Sequence, residues 1–252
     1  MRTHENTTQN LYESMTVKDI VLQNYKAVEV MEKYGIDFCC KGKKEINAAL
    51  EEKQIDRDRF FNELNNVYLT KPASNERFEK WDLVFLYQYI VNNHHAYVKE
   101  AIPRILTHTN KVASRHGEKY PFLYEVNSLF EKVANELTSH MDKEEKILFP
   151  LVKYIADCKR FNEKPKNNGY GTIKAPITKM EQEHDSAGEL LYKIRELTSN
   201  YTLPKDACTT FYITYQELDE FEKDLHKHVH LENNILFPQA IQIEEELLNT
   251  RN

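Results

Sequence analysis

Residues 140–150 read HMDKEEKILFP, and residues 228–238 read HVHLENNILFP. Both are H-x-x-x-E-x-x-I-L-F-P, and they stand 88 residues apart. A histidine and a glutamate at i and i+4 lie one above the other on one helix face. The flanking residues show which face that is. One amphipathic stretch carries Val133, Leu137, His140, Glu144, Ile147, Leu151 and Ile155, and another carries Leu218, Phe221, Leu225, His228, Glu232, Ile235 and Gln239. Every step is three or four residues, the helical period, so His140, Glu144, His228 and Glu232 occupy positions where a core aliphatic residue belongs. Two further stretches have the same period. Val84, Tyr87, Val91, His95, Val98, Ile102 and Ile105 form one; Ile177, Met180, His184, Ala187, Leu191 and Ile194 form the other. Their histidines are 89 residues apart. The chain is thus expected to hold two helix pairs related by a pseudo-twofold axis, in an all-α, up-down-up-down four-helix bundle. Pro150 and Pro238 are expected to kink or end their helices at matching points.

An ionised glutamate in a bundle core costs several kcal/mol unless compensated. No lysine or arginine interrupts these stripes, and a metal would compensate. Four histidines and two carboxylates are too many for one tetrahedral ion, but they suit two ions bridged by the carboxylates. Imidazole with carboxylate fits iron, manganese or zinc and does not fit soft-metal thiolate chemistry. The candidate ligands are His95, His140, Glu144, His184, His228 and Glu232. His94 fits a helical stripe as well as His95 does, and periodicity does not separate them. His226 and His230 are expected to face away from the stripe, and His4, His108 and His116 to lie in tail or loop.

The chain has 252 residues, of which only 6 are glycine and 8 proline, too few for the turns of an all-β fold. Mean hydropathy is −0.69 and no apolar run is long enough to span a bilayer, so no membrane segment is expected. The net charge of −6 without a basic block argues against nucleic acid as a partner. The amino terminus is polar, with no secretory h-region, and four cysteines do not make a disulfide framework; a cytoplasmic protein with reduced thiols is expected. Residues 1–15 read as a disordered tail and 16–69 as a small helical domain, with Thr16 capping a helix from Val17 and Gly35 ending another. Residues 70–76, TKPASNE, have linker chemistry, and 77–252 hold the bundle, with a solvated loop over 159–175. In the loop IDFCCKG the vicinal Cys39 and Cys40 lie beside Lys41, Lys43 and Lys44. Cations and a following helix start lower thiol pKa, so these are the candidate catalytic thiols. The linker is expected to let them reach the bundle mouth or a client protein.

On YGIDFCCKG, SHMDKEEKILFP, MEQEHDSAGELL and HVHLENNILFP the chain resembles the Repair of Iron Centres, or ScdA-type, family: an N-terminal cysteine domain followed by a hemerythrin-like bundle. The resemblance spans about 16–245. It implies an oxo- and carboxylate-bridged pair of non-haem irons, with Glu144 and Glu232 as the bridges and His140, His228 and His184 as ligands. The family's first-helix histidine stands eight residues before a proline, and Pro103 lies eight after His95, which favours His95. The resemblance also implies a homodimer that repairs iron–sulfur proteins damaged by nitric oxide or peroxide, by supplying iron. Reduction of nitric oxide or peroxide at the two irons is the alternative, and an oxygen-binding hemerythrin the remaining one. Hemerythrins proper carry H-x-x-x-H on one helix, whereas the position four after His184 is Gly188.

Overall fold

The computed structural model describes residues 12, 14–69, 77–166 and 171–249. Among them the chain is helical, with no strand beyond one antiparallel bridge between Thr16 and Glu45. The expected linker at 70–76 lies outside the described residues.

Four helices form the amino-terminal unit: α1 (Val17–Gln23), α2 (Ala27–Lys33), α3 (Ile46–Glu52) and α4 (Arg57–Leu69). Thr16 begins α1 with a capping box closed by Asp19. α2 ends in a Schellman motif: Ile36 N–H donates to Met31 O and Gly35 N–H to Glu32 O, with Gly35 at φ +63°. That reversal aims the chain into the Cys39–Cys40 loop. The expected polar tail extends less far than residue 15, because Tyr12 is buried and stacks on Phe61 at 6.5 Å. Residues 1–11 and 13 lie outside the described residues.

Four long rods form the bundle. The first comprises α5 (Leu83–Tyr89), a π-helical segment at Ile90–His95 and α6 (Ala96–His116). The second runs through α7 (Phe122–Lys143), a π segment at Glu144–Leu148 and α8 (Phe149–Phe161). The third is α9 (Lys174–Leu197). The fourth runs through α10 (Thr209–Leu231), a π segment at Glu232–Leu236 and α11 (Phe237–Asn249). The first rod packs beside the second and the fourth, and the second beside the third.

The structure corrects four expectations, the first two through the π segments. Pro150 and Pro238 do not end their helices; each is the second residue of a new α-helical stretch just past a π turn. A proline in a plain α-helix clashes with the carbonyl four residues back, and a wider turn upstream relieves that clash. Each π turn also inserts one residue and shifts the stripe beyond it. Ile147 is 37% exposed while Leu148 and Val152 are buried, and Ala240 is buried in place of Gln239. Finally, α8 runs to Phe161 and α9 starts at Lys174, so the connecting loop is shorter than 159–175. His108 and His116 belong to α6 rather than to a loop; His4 lies outside the described residues.

Two apolar clusters fill the interior. One joins the amino-terminal unit to the near half of the bundle, from Ile20, Phe38 and Phe60 to Val98, Leu137, Leu191 and Val229. The other fills the far half around Ile90, Phe149, Ile177 and Leu236. Between them lies a layer of buried polar side chains.

Candidate metal centre

That layer holds all six candidate ligands, none more than 2% exposed. Their donor atoms form two groups, His95–Glu144–His228–Glu232 and His140–Glu144–His184–Glu232. Each carboxylate gives one oxygen to each group. Glu144 Oε2 lies 3.3 Å from His95 Nε2 while its Oε1 lies 3.2 Å from His140 Nε2. Glu232 Oε1 lies 3.1 Å from His228 Nε2 while its Oε2 lies 3.1 Å from His184 Nε2. The imidazoles of a group face each other through Nε2, at 3.2 Å for His95 and His228 and 2.9 Å for His140 and His184. About 3 Å is the separation of two nitrogens set at right angles on one ion with bonds of about 2.1 Å.

The carboxylates support the same conclusion. None of the four oxygens of Glu144 and Glu232 has a hydrogen-bond partner, although both residues are fully buried. Buried carboxylates with nothing but imidazole nitrogens around them need cations. Burial and the Glu232 charge push the Glu144 carboxyl up, yet the His140 charge and His95 overcome both and hold it at about 2. Burial likewise pushes Glu232 up, and the His228 and His184 imidazoles bring it well below the ordinary carboxylate value. Burial pushes His140 down, and the neighbouring Glu144 and Glu232 charges reverse that, to about 9. The donor set fits two divalent or trivalent ions bridged by two carboxylates.

Residues beside the ligands orient them. His95 Nδ1–H donates to Glu145 Oε1 at 2.8 Å, and Lys99 balances that carboxylate at 2.7 Å. His140 Nδ1–H donates to Glu183 at 3.0 Å, and Lys143 pairs with Glu183. His184 Nδ1–H donates to Asn233 Oδ1 at 2.9 Å. Each bond fixes the tautomer that leaves Nε2 as the free donor. His228 Nδ1 has no such partner. Sequence reasoning missed Glu145, Glu183 and Asn233. Each is adjacent in the chain to a ligand, which is a usable signal, but which imidazole each one meets is set across helices.

His95 enters the centre and His94 does not. The π turn at Ile90–His95 lets both be buried, which is why periodicity left them open. His94 Nδ1 meets Asp224 at 2.9 Å, and its ring stacks on His228 at 5.8 Å. His230 faces away from the ligands as expected, yet it is buried: Phe38 and Tyr25 pack on its ring, and Asn234 donates to its Nδ1 at 3.0 Å.

The thiol loop sits over this end of the bundle. Asn233 Nδ2 donates to Cys39 O at 3.4 Å, and Asn234 Nδ2 to Phe38 O at 3.1 Å. The Phe38 ring meets His226 edge-on at 5.8 Å. Cys39 is buried, Cys40 is partly exposed, and both are free thiols. The expected acidic thiol does not occur at Cys39. The hydrogen bond with Cys40, burial and the Asp37 carboxylate all push its pKa well up. The next helix starts only at Ile46, Lys43 pairs with Glu181 and Lys44 with Glu52, so these two cations are engaged elsewhere. Cys158 is buried in the far core, and Cys208 contacts His116 Nε2 at 3.2 Å.

No described helix is long and apolar enough to cross a membrane. The family model described as the hemerythrin HHE cation binding domain matches residues 88–240. A second, the ScdA N-terminal domain, described as a domain of unknown function, matches 13–68. An iron-sulfur cluster repair protein YtfE of Yersinia pestis (strain Pestoides F) is 32% identical over 234 residues, covering 92% of this chain and 99% of the relative. The protein of that name from Yersinia pseudotuberculosis serotype IB (strain PB1/+) matches with the same identity and coverage. With both domains matched in this order, and near full-length relatives on either side of the thiol loop and the metal layer, the chain belongs to the ScdA-type Repair of Iron Centres family.

Proposed function

We propose that this chain is a non-haem di-iron protein that repairs iron–sulfur clusters damaged by nitrosative or oxidative stress, by supplying iron. The observation that carries this reading is the pair of ligand groups sharing Glu144 and Glu232, set directly beneath the Cys39–Cys40 loop. The names of the Yersinia relatives support the repair reading.

The ligands are His95, His228, His140 and His184, with the two glutamates between them. Two imidazoles and two carboxylate oxygens per ion would leave positions for a small ligand. Bound iron would supply Lewis-acid and one-electron chemistry there. The residues of the chain have distinct tasks. Glu145, Glu183 and Asn233 hold three imidazoles by Nδ1, so that Nε2 is aimed inward. The apolar clusters on both sides keep bulk water from the carboxylates. Asn233 and Asn234 hold the thiol loop beside the ligands, which supports a role for Cys39 and Cys40 in receiving iron or donating electrons. The chain acts on damaged iron–sulfur proteins in a reducing cytoplasm, as a homodimer. The free cysteines support the compartment, and the family resemblance supports the dimer.

The oxygen-carrier reading needs a further histidine near position 188. Gly188 is there instead, and a Cβ on it would already lie 3.8 Å from Cys40 Sγ. The deciding experiment measures iron per chain and transfer of that iron to a nitric-oxide-damaged iron–sulfur protein. Two irons and restored cluster absorbance are expected. Steady turnover of nitric oxide or peroxide with a physiological donor, without iron transfer, would replace this reading by a reductase.

A further inference from the structure

The interface between the thiol loop and the bundle collects metal donors that the histidine–glutamate centre does not use. Asp37, Cys39 and Cys40 bring one carboxylate oxygen and both sulfurs within 4.8 Å of one another. Their arrangement is built by the loop backbone. Asp37 Oδ1 accepts from Cys39 N–H at 3.0 Å and from Cys40 N–H at 2.9 Å, which curls the loop so that both thiols stand on the carboxylate's side. The Cys39 thiol also donates to Asp37 Oδ1, at 3.2 Å.

The two sulfurs lie 3.8 Å apart. Two thiolates on one tetrahedral ion, each bonded at about 2.3 Å, are separated by about 3.8 Å. The pair is therefore already spaced as ligands of one ion. A fourth donor comes from the other side of the interface. Asp185, on α9 one residue after His184, lies across the interface from the cysteines, outside the 4.8 Å group and within reach of it by a side-chain movement. Asp185 and both cysteines line one cavity of about 120 Å³, with Asn233 and Asn234 at its floor. At its rim Lys43 pairs with Glu181 at 3.6 Å.

We propose that Asp37, Cys39, Cys40 and Asp185 form a second metal site, for one divalent cation of the borderline class that includes ferrous iron and zinc. Two thiolates and two carboxylates are a donor set such ions accept, and one that hard cations such as magnesium avoid. Binding releases the protons of both thiols: the ion forms two metal–sulfur bonds as two S–H bonds break, with no change of oxidation state. Three ligands belong to the loop and the fourth to the bundle. Drawing Asp185 onto the ion would therefore clamp the loop onto the bundle above His184. This deepens the repair reading, in which these thiols receive iron, and its test needs no iron transfer, so the two fail separately.

The test is titration of the full-length, metal-stripped and reduced chain with Co²⁺ without oxygen, followed by near-ultraviolet absorption. Cobalt among histidines and glutamates gives no sulfur-to-cobalt charge-transfer band, so the band reads this site alone. The expected result is a band whose final intensity corresponds to one thiolate-bound cobalt per chain, whatever cobalt the histidine–glutamate centre also takes, and which disappears in both Cys39→Ser and Cys40→Ser. Asp185→Asn should weaken the cobalt affinity at least about tenfold. Cys208→Ser, which removes the thiol beside His116, should change nothing. Absence of the band in the parent chain would overturn the site, as would its persistence in the cysteine variants. An Asp185→Asn affinity equal to the parent's would overturn the ligand from the bundle. Asp185 is exposed and its substitution leaves both thiols in place, so that comparison stands even if the cysteine variants lose the loop's packing.

Discussion

Asn233 and His184 are joined by a 2.9 Å hydrogen bond from the imidazole Nδ1–H to the amide oxygen, and the same amide reaches the Cys39 carbonyl with its nitrogen at 3.4 Å. One side chain therefore orients a metal ligand and holds the thiol loop. Asn233 lies inside the π turn that begins at Glu232, so the turn that accommodates Pro238 also places this amide. Asn233→Leu should lower iron affinity by about ten- to a hundredfold, as loss of an orienting partner does. It should also speed alkylation of Cys39. Iron retention against a chelator and mass-spectrometric alkylation measure the two effects, and a variant that shifts neither would separate Asn233 from both.

Glu144→Ala and Glu232→Ala each remove one oxygen from both ligand groups, so iron content should fall from two per chain toward none. Helix content should hold, and the metal-stripped variants should melt no lower than the parent, because a buried carboxylate without hydrogen bonds leaves with the substitution. Metal analysis and thermal unfolding test this. His226→Ala, on the loop side, should keep its iron; if it loses as much as Glu232→Ala, the ligand set is wrong.

His95→Ala should lose iron, whereas His94→Ala should keep it and lose stability. His94 is buried against Asp224, and removing the imidazole strands that carboxylate, a loss of about 1–3 kcal/mol. Iron content and denaturant midpoints read the two effects separately. The opposite pattern would place helix α6 about one residue, or 100°, out of register.

Changing Cys39 and Cys40 to serine should leave iron content near the parent's, since neither belongs to the histidine–glutamate groups. Repair of a nitric-oxide-damaged cluster should stop. The measurement is iron per chain beside recovery of the client's cluster absorbance. Repair at the parent's rate would make the thiols structural and leave the bundle to act alone.

The Cys39 thiol is held above its ordinary value by its hydrogen bond with Cys40, by burial and by Asp37. The folded chain therefore keeps this proton more tightly than the unfolded chain does. Its contribution to stability is fully present below the ordinary thiol pKa and is lost as pH rises past it. Alkylation of Cys39 in the metal-stripped chain should reach half-rate at a higher pH than that of an unstructured cysteine peptide. A midpoint at or below the peptide's would show an activated thiolate.

The sequence by itself determined the all-α class and the internal repeat, and it marked five of the six candidate ligands. Those features are local: a 3.6-residue period shows which face of a helix is buried, and His140, Glu144, His184, His228 and Glu232 stand out because they occupy apolar positions of that period. The tertiary structure decided what depends on which neighbour that face meets. The π turns at Glu144 and Glu232 insert a residue, so the buried positions beyond them are Leu148 and Ala240 rather than Ile147 and Gln239. The π turn before Ala96 buries both His94 and His95, and only packing against the fourth rod gives one to the metal layer and the other to Asp224. The same holds for the thiols. Their flanking lysines suggested an acidic sulfur, but in the docked loop the hydrogen bond with Cys40, burial and Asp37 govern Cys39. Electrostatic environment is a property of what surrounds a group in space, and part of the burial of Cys39 is contributed by residues nearly two hundred positions away along the chain.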